Sequence, residues 1–179
     1  MALKKIVIIG PESTGKSTLS ADLAIHFDTN WCEEYAREYL VKFGKEYTIE
    51  TLTDIAKGQI KLEENAIEQA IKENKEFVFI DTDMYVMKVW SEYVFGTCDN
   101  YILEQINHRK YDFYLLANTD LPWAADELRE YPDENPRLEL FQIYKDILIN
   151  QSTPWAEIKG TGEERTKMAI DIIEKYFQK

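Results

Sequence analysis

Apolar residues follow two rhythms along this chain, short unbroken runs and longer stretches at helical spacing, and the two alternate. The first run, Ile6-Val7-Ile8-Ile9 within Lys4–Gly10, reads as a strand buried on both faces, as in a parallel sheet. Leu19, Leu23, Ala24 and Phe27 then share one face of a helix over Lys16–Phe27. Asn30–Glu33 reads as a short second strand and Tyr35–Lys42 as a helix. Thr51–Asn74 is a long amphipathic helix, with Leu52, Ile55, Ala56, Gln59, Ile60, Glu63, Ala66, Ile67, Ala70 and Ile71 at helical spacing. Glu76–Asp81 is a third strand that ends in an acid, and helices follow over Met84–Val94 and Asn100–His108. Asp112–Leu116 reads as a fourth strand, Arg137–Asn150 as a helix, Pro154–Lys159 as a fifth strand and Glu163–Phe177 as the closing helix. Leu121–Pro136 is polar, aromatic and proline-bearing, which suits a loop or short lid, about 120–137 in all.

This alternation predicts a single α/β domain over 1–179, with a parallel sheet of about five strands covered by helices on both faces through right-handed crossovers. Ligands of such sheets sit at the carboxyl ends of the strands. One crevice should therefore gather Gly10–Ser17, Glu33 and Glu34, Asp81–Asp83, Asn118–Trp123 and Gly160–Gly162.

The junction of the first strand and first helix carries chemistry. Gly10-Pro11-Glu12-Ser13-Thr14-Gly15-Lys16-Ser17 is G-x-x-x-x-G-K-[ST], the phosphate-binding P-loop, in the strand–loop–helix context the motif requires. Phosphate oxygens need several donors converging from one side, and a loop entering a helix N-terminus offers backbone N–H groups and the positive end of the helix dipole. Gly10 and Gly15 let the backbone come close; Lys16 reaches the β- and γ-phosphates; Ser17 presents a hydroxyl to Mg²⁺. Glu12, Ser13, Thr14 and Thr18 belong to the same nucleotide-binding stretch. The fold expected is thus that of the P-loop NTPases and kinases, with ATP and Mg²⁺ as the ligands.

Bulk properties narrow the partners. Of 179 residues, 45% are hydrophobic, which excludes a disordered chain. A net charge of −12 argues against nucleic acid or an anionic membrane as the main partner and gives each cation near the P-loop added weight. Cys32 and Cys98 form no disulfide framework or metal cluster and read as reduced thiols of a cytoplasmic protein. The first strand begins almost at Met1, so no signal peptide is expected, and no apolar run approaches transmembrane length.

Asp81 closes the run Phe77-Val78-Phe79-Ile80, the Walker B arrangement of a carboxylate that holds Mg²⁺ at a strand end. A phosphoryl acceptor needs a carboxylate near its hydroxyl and cations near the group in transfer. Glu33-Glu34-Tyr35-Ala36-Arg37-Glu38 supplies both types; Glu34 is the preferred acceptor-side carboxylate and Asp83 the second choice. Against these stand plainer readings, acids in a solvated first helical turn and Asp83 as a helix cap. Arg37 pairs with substrate or with a neighbouring Glu. Arg129 and Arg137 of the lid-like segment can meet the γ-phosphate or sit in surface pairs. Trp90 and Trp123, with Tyr35 and Tyr39, can stack on a flat substrate or simply fill core. Gly160 and Gly162 stand where backbone can meet adenine, or form a plain turn; His26 and His108 read as structural or surface.

Several segments together resemble a known family: GPESTGKSTL at 10–19, EYAREYL at 34–40, FIDTD at 79–83, LPWAADELR at 121–129 and the terminal strand–Gly–helix. The combination is similar to the ribosylnicotinamide kinase domain of the bacterial trifunctional NAD-biosynthesis regulator, within the broad AAA-type P-loop ATPase group, and runs over nearly the whole chain. The resemblance implies Mg²⁺- and ATP-dependent phosphorylation of the ribose 5′-hydroxyl of nicotinamide riboside. It carries over onto Lys16 and Ser17 for phosphates and Mg²⁺, Asp81 for Mg²⁺, Glu34 and Arg37 at the acceptor, and Arg129 in the lid. There is no HxGH motif for adenylyl transfer and no DNA-binding segment ahead of the P-loop strand. The expectation is a free-standing kinase domain that neither makes NAD nor represses genes by itself, and its acceptor can be another riboside or vitamin alcohol. A regulatory ATPase or nucleotide switch is the competing class. A GTPase is disfavoured, because Ala117-Asn118-Thr119-Asp120 lacks the lysine of the guanine-binding N-K-x-D segment.

Overall fold

The computed structural model describes residues 2–124 and 134–177. Five parallel strands form one sheet in the order β2-β3-β1-β4-β5: β1 Lys4–Ile9, β2 Trp31–Cys32, β3 Phe77–Asp81, β4 Phe113–Ala117 and β5 Trp155–Ile158. The helices are α1 Lys16–His26, α2 Tyr35–Phe43, α3 Ile49–Lys72, α4 Met84–Phe95, α5 Asn100–His108, α6 Glu134–Ile149 and α7 Gly162–Phe177. The expected α/β architecture is present; most boundaries shift by a residue or two, and two helix starts move for identifiable local reasons. Helix α3 starts at Ile49, ahead of the expected Thr51, because the Thr48 hydroxyl caps it by accepting from Thr51 N–H. Helix α6 starts at Glu134, taking in Pro136, whose missing N–H is tolerated in a first turn. Residues 125–133, including Arg129 and most of the expected lid, lie outside the described residues.

Alternate residues of each strand serve opposite layers, because strand side chains point to opposite faces in turn. Val7, Ile9, Val78, Ile80, Tyr114 and Leu116 pack against α3, α4 and α6. Ile6, Ile8, Phe77, Phe79, Phe113, Leu115 and Ile158 pack against α1 and α7. A third cluster, among them Leu40, Leu52, Ile55, Met84, Met87 and Ile102, joins α2, α3, α4 and α5 into a wall beside the carboxyl end of the sheet. After β1 the chain crosses over β3 to reach β2, and after β3 it returns to the other side of β1 for β4. The strand order therefore reverses around β1, where α/β sheets bind ligands.

Asp83, the second choice for an acceptor-side carboxylate, is 1% exposed and is the N-cap of α4. Its Oδ1 accepts from the Tyr85 and Val86 N–H groups at 3.0 and 3.3 Å, and its Oδ2 accepts from the Tyr114 hydroxyl at 2.8 Å. These contacts tie α4 to β4. Burial pushes the Asp83 carboxyl up to about 7, against the downward pull of the Tyr114 hydroxyl and the two amides. A raised carboxyl pKa means that the folded state holds the proton more tightly than the unfolded chain. That contribution to stability is complete below about pH 4 and is lost as pH rises through about 7. Without nucleotide or metal, Asp83→Asn should therefore flatten the fall in Tm between pH 5 and pH 8. Calorimetric melts at constant ionic strength check this; parallel curves for the two proteins would show that the cap carboxyl does not titrate there.

Candidate active site

The register of the sheet brings the two nucleotide motifs together. Ile8 of β1 pairs with Asp81 of β3, so the Walker B carboxylate lies beside the strand that leads into the loop. At Gly10, φ is 146° and a Cβ would stand 2.7 Å from the Ala117 carbonyl oxygen, so no side chain fits there. Gly15, at φ 74°, is the N-cap of α1, with no side-chain cap and no acid in the first turn. The amide end of α1 and its dipole thus meet the loop uncompensated, as an anion site requires. The Lys16 ammonium folds over the loop and donates to the Pro11 carbonyl at 2.8 Å.

Beneath the loop, the Ser17 hydroxyl donates to Asp81 Oδ2. Asp81 Oδ1 is buried and makes no hydrogen bond among the described residues. Burial, then the Glu34 charge, raise the Asp81 carboxyl, while Lys16 and Ser17 pull it down and the nearby Thr82 hydroxyl adds a lesser pull without reaching bonding geometry. Thr82 itself, between the two aspartates, holds φ 77°, a left-handed conformation that costs a β-branched residue energy and marks a constrained turn. A buried carboxylate oxygen lacking a donor, next to a serine hydroxyl, fits a hard cation with oxygen ligands. No cluster of three or more His, Cys, Asp or Glu that would suit a soft or caged metal exists among the described residues.

The outer side of the loop is gripped by two buried arginines. Arg165, at the start of α7 and 3% exposed, donates to the carbonyls of Thr14, Asn118 and Gly160, each at 2.9 Å, and to Asp120 at 2.7 Å. Arg137, 4% exposed, donates to the carbonyls of Ser13 and Leu121 at 3.3 and 3.1 Å. The sequence left Arg137 between the γ-phosphate and a surface pair, and its burial against the loop carbonyls removes the surface reading; Arg165 was missed altogether, with an arginine just after Gly160-Thr161-Gly162 as its signal. Gly160 donates its N–H to Asp120 at 2.7 Å, and Gly162 opens α7. Trp123 donates to Glu12 at 3.2 Å, and Ala124 N–H donates to the Ser13 hydroxyl at 3.0 Å.

On its inner side the loop faces a cavity of ≈ 240 Å³. Residues 10–18 form one wall. The opposite wall is Glu34, Ala36, Arg37 and Leu40 from the start of α2, Val86, Trp90 and Tyr93 from α4, and Leu140 and Tyr144 from α6. Of the predicted acceptor residues, the structure brings Glu34, Arg37 and Trp90 to this cavity. Asp83 does not line it, being engaged as the α4 cap, and neither does Tyr35, whose ring packs on α3, or Trp123, which sits against Glu12. Trp90 is held by its indole N–H donating to the Tyr47 hydroxyl at 3.0 Å. Tyr93, Leu140 and Tyr144 had no sequence signal, because their helices converge only in three dimensions. His108 is exposed on α5, and His26 lies 3.7 Å from Glu174 on the far face.

The chain is 27% identical over 176 residues to the trifunctional NAD biosynthesis/regulator protein NadR of Escherichia coli (strain K12), covering 96% of this chain and 42% of that protein. It thus spans less than half the length of that relative. Its fold matches the crystal structure of NadR in complex with NR at a TM-score of 0.78, with 22% identity, over 98% of this chain and 52% of the other. NadR in complex with NAD and AMP-PNP matches at 0.75, with 23% identity, over 98% and 50%. The sequence profile of the AAA domain family matches residues 5–165, which includes the P-loop, Asp81, the cavity-lining residues of α2, α4 and α6, and Arg165; the chain belongs to that family.

Proposed function

We propose that this chain is an ATP-dependent small-molecule kinase whose acceptor is the ribose 5′-hydroxyl of nicotinamide riboside. The observation that carries the reading is the shared cavity, in which a phosphate-binding loop faces a carboxylate, a guanidinium and an indole across one cleft. A switch that only hydrolyses nucleotide has no need of such an acceptor wall. The similarity to NadR, and the NR and AMP-PNP complexes of that protein, support the same pair of substrates.

In this reading the loop amides and Lys16 hold the β- and γ-phosphates of ATP. Glu34 orients the acceptor hydroxyl and takes its proton as the oxygen bonds to the γ-phosphorus; the β–γ bridging bond breaks and ADP leaves. Arg37 offers a cation on the acceptor side, and Trp90 a flat face for the base. Ser17 and Asp81 would hold Mg²⁺, which when bound neutralises charge on the transferring phosphates. Arg165 and Arg137 act on the loop rather than on substrate, keeping its peptide planes fixed. The ligands are small molecules, not nucleic acid, and the setting proposed is the cytoplasm; no described helix is long and apolar enough to cross a membrane.

The test is ADP formation from ATP and Mg²⁺ across a panel of ribosides. Nicotinamide riboside should stimulate it well above the acceptor-free rate, and Glu34→Gln should then lower kcat by about 10²-fold or more with little change in the KM for ATP. Slow hydrolysis that no riboside stimulates would replace the kinase reading with a nucleotide switch. A variant in which only ATP binding suffers would remove Glu34 from the acceptor side.

A further inference from the structure

The middle of α3 departs from what a long amphipathic helix wants. Gly58 is a poor helix former far from either end, and Gln59, a carboxamide, is 1% exposed on the buried face. Both anomalies have the same cause. A Cβ at Gly58 would stand 1.9, 2.2 and 2.6 Å from three carbons of the Tyr35 ring, so the start of α2 seats on α3 only because residue 58 lacks a side chain. Beside it, the Gln59 carbonyl oxygen accepts the Tyr35 N–H at 2.7 Å. The Gln59 amide nitrogen faces the carbonyl of Glu33 at 3.1 Å and that of Asp81 at 3.3 Å, with Cys32 Sγ also at 3.3 Å. The orientation of the amide follows from these partners: only the oxygen can accept from an N–H, and only the nitrogen can donate to carbonyls.

Glu34 lies between the two bonded residues. The carbonyl before it and the N–H after it are both tied to one side chain, and that side chain is also tied to the end of β3 at Asp81. We propose that Gln59, seated by Gly58, is a positioning residue that sets the Glu34 carboxylate against the Ser17–Asp81 pair across the cavity. It touches no substrate; it fixes the backbone of one wall relative to the other. A carboxamide is the side chain suited to this, since a carboxylate would repel the two carbonyls and an apolar group would take this partner from one buried and two partly buried main-chain groups. The inference rests on the acceptor-side role proposed for Glu34.

The experiment is a double-mutant cycle in the riboside-dependent assay, with Gln59→Met, Glu34→Gln and the combination, and with Tm recorded for each protein. Small misplacement of a reacting group costs rate steeply, so Gln59→Met should lower kcat by about 10- to 100-fold, by more than it raises the KM for ATP. In the combination, the Gln59→Met loss should largely vanish, because there is no longer a carboxylate to place. Wild-type kcat in Gln59→Met, or a loss of the same size with and without Glu34, overturns the inference even where Glu34→Gln alone is severely impaired. Full activity of Glu34→Gln overturns the acceptor-side reading instead. Should Gln59→Met not fold, Gly58→Ala gives the same test. It keeps the carboxamide but pushes Tyr35 away, so kcat should fall and again couple to Glu34; unchanged kcat in Gly58→Ala overturns the proposal.

Discussion

The uncapped amide end of α1 and the glycine-bearing loop that enters it make a ready anion site, and the surrounding structure holds that loop in place. The loop keeps its form because its carbonyls are occupied. Pro11 accepts from Lys16 and from the Thr14 hydroxyl, Ser13 from Arg137, and Thr14 from Arg165. These three peptide groups are thereby held by side chains, two of them by the buried arginines on the outer side of the loop. Gly10 lets the loop pass within contact of β4, and Gly15 lets it turn into α1 with no side chain capping the helix.

The charge distribution follows from the same demand. A chain of net charge −12 repels nucleotide at long range, yet Lys16, Arg37, Arg137 and Arg165 are gathered around one loop. The two arginines of α6 and α7 are nearly fully buried and bonded to carbonyls, which turns them from mobile surface charges into fixed parts of the loop. On the acidic side, hydrogen-bond partners rather than depth separate two equally buried aspartates that stand two residues apart. Asp83 faces into the fold and is bonded by two amides and a tyrosine, whereas Asp81 keeps one oxygen without a donor beside Ser17.

Much of this was legible from the chain alone. Unbroken apolar runs marked the strands because a parallel sheet is buried on both faces, and the loop motif marked the ligand end. What stayed hidden depended on the third dimension. Glu34 and Asp83 both follow strands in an acidic stretch, and nothing linear says which one faces the cavity. Pro136 looked like loop but sits in the first turn of α6. Arg165 is remote from the P-loop in sequence and reaches it only because α7 lies against α1. Gln59 was legible only as one position of the helical stripe, because its role and the need for glycine at 58 depend on the Tyr35 ring and the Glu33 and Asp81 carbonyls that lie against them.

In the proposed reading these features hold a triphosphate at the mouth of the sheet, and the most direct measurement is a calorimetric titration of Mg²⁺ and ATP into the wild-type protein and into Lys16→Ala. The account predicts saturable one-site binding by the wild type, weakened by about tenfold or more in the variant through loss of a charged contact to phosphate, with the ligand-free variant still folding cooperatively. Equal affinity in the two proteins would contradict it, because the loop and its ammonium would then not be where the nucleotide is held.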